Sequence, residues 1–140
     1  MNYGRLVAAA IAATVVDLAY GFVVYGTALA SYFATAPGVF RAADQTSAHL
    51  PALIGGIALG MLVASFIYAK GYEGKGGVVE GLRFGLVVGL FVAGYVNIAG
   101  SAIINYGLRI AGVLSVAGIG EWLIVGAVIS LVYKPATAGK

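Results

Sequence analysis

Gly81–Asn105 reads GLRFGLVVGLFVAGYVNIAGSAIIN, a run of 25 residues in which Arg83 is the only charge. A helix needs about 20 mostly apolar residues to cross the hydrocarbon core of a bilayer. The run meets that length. It is too long for a barrel strand, which spans in about 9–11 residues, and it lacks strand alternation. The same reading applied outward finds three more such runs: Leu6–Phe33, Pro51–Lys70, and Arg109–Tyr133, the last ended by Lys134-Pro135. Leu6–Phe33 holds 28 residues, enough for a tilted helix that projects beyond the hydrocarbon. The expected fold is all-α: a polytopic membrane protein of one domain, residues 1–140, built as a four-transmembrane-helix bundle.

Composition agrees with that reading. Apolar residues make up 61% of the chain and charged residues 9%, against about 45–50% and about 25% in soluble domains. So little charge cannot keep a small globule dispersed in water, whereas a bilayer removes the need. The chain has no cysteine, which excludes disulfides and thiolate chemistry, and its one histidine, His49, excludes a histidine cluster. The net charge of +3 comes from basic residues at helix ends, where they act as topology signals. Arg5 ahead of an apolar run, with Ala34-Thr35-Ala36 after it, has the outline of a signal peptide. The run is too long for a signal core and carries Asp17 in its middle, so it reads as a retained helix.

Three connections remain. Ala34–Leu50 is polar, contains Pro37-Gly38, and has the composition of a short interfacial helix; Gly71–Val79 is a glycine-rich turn, and Tyr106–Leu108 a tight hairpin. Arg5, Lys70, Lys75, Arg83, Lys134 and Lys140 fall on the side of the N-terminus, against only Arg41 and Arg109 on the other. By the positive-inside rule both termini are expected in the cytoplasm. Tyr3, Tyr68, Tyr72 and Tyr133 would mark the inner interface, Tyr32 and Tyr106 the outer one. A weak internal similarity pairs Asp17–Val24 with Gly81–Val88, and Ala64–Tyr68 with Ile129–Tyr133, at offsets of 64 and 65. It is equally well explained by chance in low-complexity apolar sequence or by a parallel repeat of two helical hairpins.

Small residues recur at helical spacing. Gly77, Gly81, Gly85 and Gly89 stand every four residues, continued by Ala93, Asn97, Ser101 and Asn105. The second run has Gly56, Ala58 and Gly60, and the first has Ala9, Ala13, Asp17 and Gly21. Rows of this kind let helix backbones approach closely where no hydrophobic effect drives association. They serve either the four helices themselves or a seam between copies.

Asp17 and Glu121 lie near the middle of the first and fourth runs, at about the same depth. An acid there costs roughly 2.5–3.5 kcal/mol on insertion scales, so it should face the bundle. With no basic residue in the same layer, the neutral form of each is expected. Asn97 lies about one turn away in depth, Tyr20 shares a helical face with Asp17, and Trp122 adjoins Glu121. Two readings stay open: a polar midplane cavity for a proton or small ligand, or carboxyls that fasten helices by hydrogen bonds to Asn97, Tyr20, Thr14 or backbone carbonyls. His49 at the outer mouth reads as solvated rather than as a ligand. Glu80 and Arg83, three apart, suit an intrahelical pair. No nucleotide-binding, metalloprotease or hydrolase motif occurs, no cofactor is indicated, and nothing points to nucleic acid.

The stretches GLRFGLVVGLFVAGYVN (81–97) and AGIGEWLIVGAVIS (117–130) resemble small bacterial four-helix membrane proteins grouped as a domain of unknown function. That resemblance implies the four-helix architecture and brings no catalytic residues. The functional expectation is a non-enzymatic bundle of the bacterial inner membrane. It would act as an accessory or assembly subunit by helix-face contacts, as a homo-oligomer or within a larger complex. The alternative is a binder or proton-coupled transporter of a small hydrophobic ligand around Asp17, Asn97 and Glu121.

Overall fold

Asn2 opens the first helix, its side-chain oxygen accepting the Arg5 N–H at 3.1 Å. This N-cap satisfies one of the donors that a helix start leaves unpaired. Helix α1 runs Tyr3–Tyr20 and continues without a break as a π-helical segment, Gly21–Ala28. There the ladder has slipped by one residue: the Leu29 N–H donates to the Val24 carbonyl, and Thr27 Oγ1 donates to the Phe22 carbonyl. Leu29 then leaves helical geometry, with φ −100° and ψ 1°. The first span therefore ends at Ala28, earlier than Phe33, and Ala30–Phe33 forms a separate turn, α2.

The computed structural model describes residues 1–41, 43–74 and 77–133, without the side chains of 43 and 44. Lys75, Lys134 and Lys140, which enter the charge count above, lie outside the described residues. The polar connection holds a single helical turn, α3 (Ala43–Thr46), and a 3-10 turn, Ser47–His49, before α4 (Leu50–Gly71), which carries Pro51 in its first turn. Helix α5 (Val78–Phe91) follows Gly77, whose φ of +48° suits glycine. It too passes into a π-helical segment, Val92–Ile98. Helix α6 (Gly107–Val132) is the last helix among the described residues. Among the described residues, four helices are long and apolar enough to cross a membrane: Tyr3–Ala28, Ser47–Gly71, Val78–Ala102 and Gly107–Val132. The chain has the build of a multi-pass helical membrane protein, and Phe22, Leu59, Val87, Tyr95, Leu108 and Val116 stand exposed on its flanks.

The ends near Tyr3, Gly71, Val78 and Val132 are here called proximal, and the opposite ends distal. Helix α6 lies at the centre, antiparallel to both α1 and α5. Arg5 donates to the Val132 carbonyl at one end of the α1–α6 pair, and Tyr20 donates to the Ala117 carbonyl nearer the other. The core occupies the proximal half: Leu6, Ala9 and Ala13 of α1 meet Met61, Ala64 and Tyr68 of α4 and Val125, Ile129 and Tyr133 at the end of α6. Tyr68 packs edge-on against Phe84, Tyr72 and Tyr133, with ring centroids 5.4, 6.0 and 6.1 Å apart. Tyr68 and Tyr133 are thus core residues, whereas Tyr3 stays exposed. Beyond Met61, α4 departs from the bundle: from Leu50 to Gly60 only Ile57 is even partly covered.

The two paired stretches of the internal similarity fare differently. Ser65 and Tyr68 on α4, and Ser130 and Tyr133 at the end of α6, are all buried near the proximal end. Asp17 sits near the end of α1, but Gly81 is in the first turn of α5. Glu80 does not serve an intrahelical pair. Its Oε1 accepts the Glu73 N–H at 2.8 Å, which ties the start of α5 back across the turn.

Candidate functional site

The row on α5 lies directly against α6. A Cβ on Gly81 would collide with the Gly126 carbonyl and Ser130, one on Gly85 with the Trp122 carbonyl, and one on Gly89 would stand 3.0 Å from Ile119 Cα. Gly126 answers from the other side, because a Cβ there would meet the Gly81 carbonyl and the Gly85 backbone. Backbone-to-backbone contact at four glycines fixes the depth of α6 relative to α5. Trp122 belongs to this contact: it is partly covered and packs against the core with Phe84. It adjoins Glu121 of the polar cluster in the chain.

That depth sets Glu121 opposite α1, where Asp17 comes to meet it. Asp17 is 7% exposed, and its carboxyl lies within hydrogen-bonding reach of the Glu121 carboxyl. Two carboxyls in such contact can hydrogen-bond only if at least one carries a proton. The basic residues flanking these spans, Arg5 and Arg109, are each twelve residues distant along the helix, about 18 Å at the usual rise. No lysine or arginine lies between either of them and its acid.

The third member is Tyr25, whose hydroxyl donates to Glu121 Oε2 at 2.9 Å. Eight residues separate it from Asp17, and an unbroken α-helix would turn it about 80° away. The π-helical segment that begins at Gly21 accommodates an extra residue per turn, which rotates Tyr25 back toward the acids. Sequence periodicity assumed a uniform α-helix and so picked out Tyr20 instead. Tyr20 stands edge-on to Tyr25, ring centroids 5.9 Å apart, and spends its hydroxyl on the Ala117 carbonyl at 2.8 Å. Thr14 is similarly occupied within its own helix, donating to the Ala10 carbonyl.

Asn97 reaches the edge of the cluster. Its Nδ2 and the Tyr25 hydroxyl each lie 3.9 Å from where a Cβ on Gly118 would stand. Its backbone carbonyl accepts the Tyr106 hydroxyl at 2.8 Å. Ser115, one turn distal on α6, donates to the Ala111 carbonyl and approaches that of Ala93 at 3.4 Å. Both π-helical segments therefore border the cluster, one from each side of α6. Two of the chain's cavities open at the distal turns around Arg109 and beside Tyr20 and Val116, and neither is lined by Asp17, Asn97 or Glu121. His49 is exposed, and no group of metal-binding side chains occurs among the described residues.

The glycines of α4 behave differently from those of α5. Gly55, Gly56 and Gly60 are exposed, with nothing within 4 Å of where a Cβ would stand. The row on α4 has no partner within the described chain.

Fold and site together have the build of a helical, multi-pass membrane protein with a carboxyl–tyrosine cluster between the first and last long helices. No family model, curated protein or solved structure matches the chain, so no residue role is carried over from a relative.

Proposed function

We propose that the protein is a non-enzymatic assembly subunit that associates with a second copy of itself through the distal half of α4. The observation that carries this is the contrast between two glycine rows. Glycine weakens a helix by about 1 kcal/mol relative to alanine. On α5 the backbone contact with α6 accounts for that weakness, and on α4 nothing among the described residues does. Pro51–Ala69 contains no charged residue, so its partner in a bilayer is an equally apolar helix with room for close approach. A second α4, related by a two-fold axis, meets both conditions. The positive-inside count supports cytoplasmic termini in a bacterial inner membrane, and the Ser65/Tyr68 and Ser130/Tyr133 pairs support a parallel repeat of two hairpins. Tyr3→Cys and Ile103→Cys, in a chain free of other cysteines, test the orientation: only Ile103→Cys should react with an impermeant reagent added to intact cells.

The full chain in mild detergent, sized by light scattering, tests the association. Wild type should be oligomeric, and Gly56→Leu with Gly60→Leu should give a monomer of unchanged helicity and melting temperature. A monomeric wild type sinks the self-association reading. Stoichiometric co-purification of a different membrane protein, lost in the same variant, assigns the face to a larger complex instead.

A second reading rests on the meeting of Asp17 and Glu121. Two acids from different helices, joined in mid-span, form the core of a site for a proton or a small, proton-coupled ligand. Its test is given with the carboxylate variants below.

A further inference from the structure

We propose that the carboxyl pair exchanges protons with the distal side alone, along a polar route lined by Tyr106, Asn97 and Tyr25. This rests on the second reading of the cluster and adds to it the side from which a proton reaches Asp17 and Glu121.

The route starts at the cavity of about 730 Å³ at the distal turns, which Asn105 and Tyr106 help to line. The Tyr106 hydroxyl donates to the Asn97 carbonyl at 2.8 Å and so joins the cavity wall to the π-helical part of the third span. Asn97 is only partly buried, and its side-chain amide borders Gly118. The Tyr25 hydroxyl borders the same point from the first span: Asn97 Nδ2 and Tyr25 Oη each stand 3.9 Å from where a Cβ on Gly118 would be. Tyr25 then donates to Glu121, which meets Asp17. Tyr106, Asn97, Tyr25 and Glu121 all keep part of their surface open, and Asp17 at the inner end is 7% exposed. Each π-helical segment supplies one of the two side chains that flank Gly118, and π-bulges occur frequently at functional sites.

The other direction is closed. One turn proximal to the acids stand Ala13 on α1 and Val125 on α6, followed by Ala9 and Ile129, and all four are buried. Met61 and Ala64 of α4 complete the layer. Thr14, the hydroxyl of that stretch of α1, is spent on the Ala10 carbonyl. Packed aliphatic side chains offer a proton no hydrogen-bonding partner, whereas a hydroxyl can accept one proton as it releases another, and an amide can hold water by donating and accepting. A proton arriving from the distal side adds to whichever carboxylate of the pair is ionised, and it leaves by the same steps reversed. The titratable groups that face Glu121 are Asp17, Tyr20 and Tyr25. Helix α4 has no charged residue between Pro51 and Ala69, Glu80 and Arg83 belong to the first two turns of α5, and Arg109 is twelve residues from Glu121 along α6.

Infrared spectroscopy of the purified full-length protein in nanodiscs tests the route. The band of the protonated carboxyl, assigned with Asp17→Asn and Glu121→Gln, shifts when H2O is replaced by D2O, and the rate of that shift is the readout. Gly118→Leu fills the point between Asn97 and Tyr25, Asn97→Leu removes the amide, and Gly118→Ala adds a methyl group at ordinary contact distance. Exchange should slow about tenfold or more in Gly118→Leu and several-fold in Asn97→Leu, leaving the slower path of local opening of the fold. Gly118→Ala and the exposed Val87→Leu should exchange as wild type does. If Gly118→Leu does not fold, Asn97→Leu carries the comparison. Sidedness is read separately in this cysteine-free chain: Asn97→Cys should react with a small impermeant thiol reagent only from the side that labels Ile103→Cys, and Ala13→Cys from neither side. Equal exchange in wild type and the folded Gly118→Leu and Asn97→Leu variants overturns the proposal, as does labelling of Asn97→Cys from the side of Tyr3→Cys. Exchange reads the route, and the phenotype of the carboxyl variants reads whether the pair works with protons, so one can fail without the other.

Discussion

Tyr25 donates its hydroxyl to Glu121 Oε2 across 2.9 Å, joining the π-helical part of the first span to the middle of the fourth. This bond and that of Tyr20 to the Ala117 carbonyl hold the distal half of the first span to α6. Tyr25→Phe keeps the ring and removes the donor. Interhelical hydrogen bonds in membranes contribute about 0.6 kcal/mol on average and up to about 1.7. Because the acid loses a buried partner, the expected loss is at the upper end, about 1–2 kcal/mol. Tyr20→Phe, which orphans only a carbonyl, should lose less. Unfolding of the two variants in mixed micelles measures the difference; equal losses would mean that Glu121 does not depend on Tyr25.

Gly85→Ala should destabilise the monomer strongly and Gly60→Ala should not. At Gly85 a Cβ collides with the Trp122 backbone, and backbone cannot rotate out of the way as a flexible side chain does. Overpacking of this kind costs about 1–3 kcal/mol. At Gly60 the space is open, so the monomer should tolerate the methyl group and the helix should gain slightly in propensity. Melting temperatures measured under monomeric conditions compare the two directly. A loss at Gly60 as large as that at Gly85 would refute the assignment of the α4 row to an external contact.

The four long apolar helices were legible because length and apolarity are properties of composition. The approximate depth match of Asp17 and Glu121 followed from counting residues inward from each end. What could not be read was rotation. Tyr25 reaches Glu121 only because the helix turns π-helical after Tyr20, and apolar sequence such as Gly21–Ala28 carries no periodic signal of that change. Partner choice was equally hidden: the rows at Gly81–Gly89 and Gly56–Gly60 look alike as strings, yet one is filled by α6 and the other by nothing among the described residues. The use of Glu80 depended on a turn geometry that spacing alone does not encode, so its proximity to Arg83 pointed the wrong way.

Ser65→Ala should leave stability unchanged or raise it. Ser65 is fully covered, at 0% exposure, in the contact between α4 and the bundle. Its Oγ has no hydrogen-bond partner. Removing an unsatisfied buried hydroxyl relieves a desolvation cost of about 1–3 kcal/mol, against which only a small cavity is opened. Ser130→Ala is the counterpart, because the Ser130 hydroxyl is already satisfied by the Ala127 carbonyl at 2.7 Å. Ser65→Ala should therefore be the more stable of the two variants by about 1 kcal/mol. A clear loss on Ser65→Ala alone would reveal a partner for that hydroxyl, such as a buried water.

The carboxylate pair separates fastening from function. Asp17 and Glu121 lie in contact, so their substitutions should not be additive: in a cycle of Asp17→Asn, Glu121→Gln and the double variant, the coupling should be about 0.5–3 kcal/mol, as for residues sharing a hydrogen-bond network. Each amide retains donor and acceptor capacity, so every variant should still fold. If the pair only ties α1 to α6, the variants should also keep the assembly state and whatever growth phenotype deletion of the protein causes. If the pair carries a proton or holds a proton-coupled ligand, the single variants should lose that phenotype while folding normally, since an amide cannot cycle a proton. Additive losses with no coupling would show that the two carboxyls do not touch, and both readings of the cluster would fall with that contact.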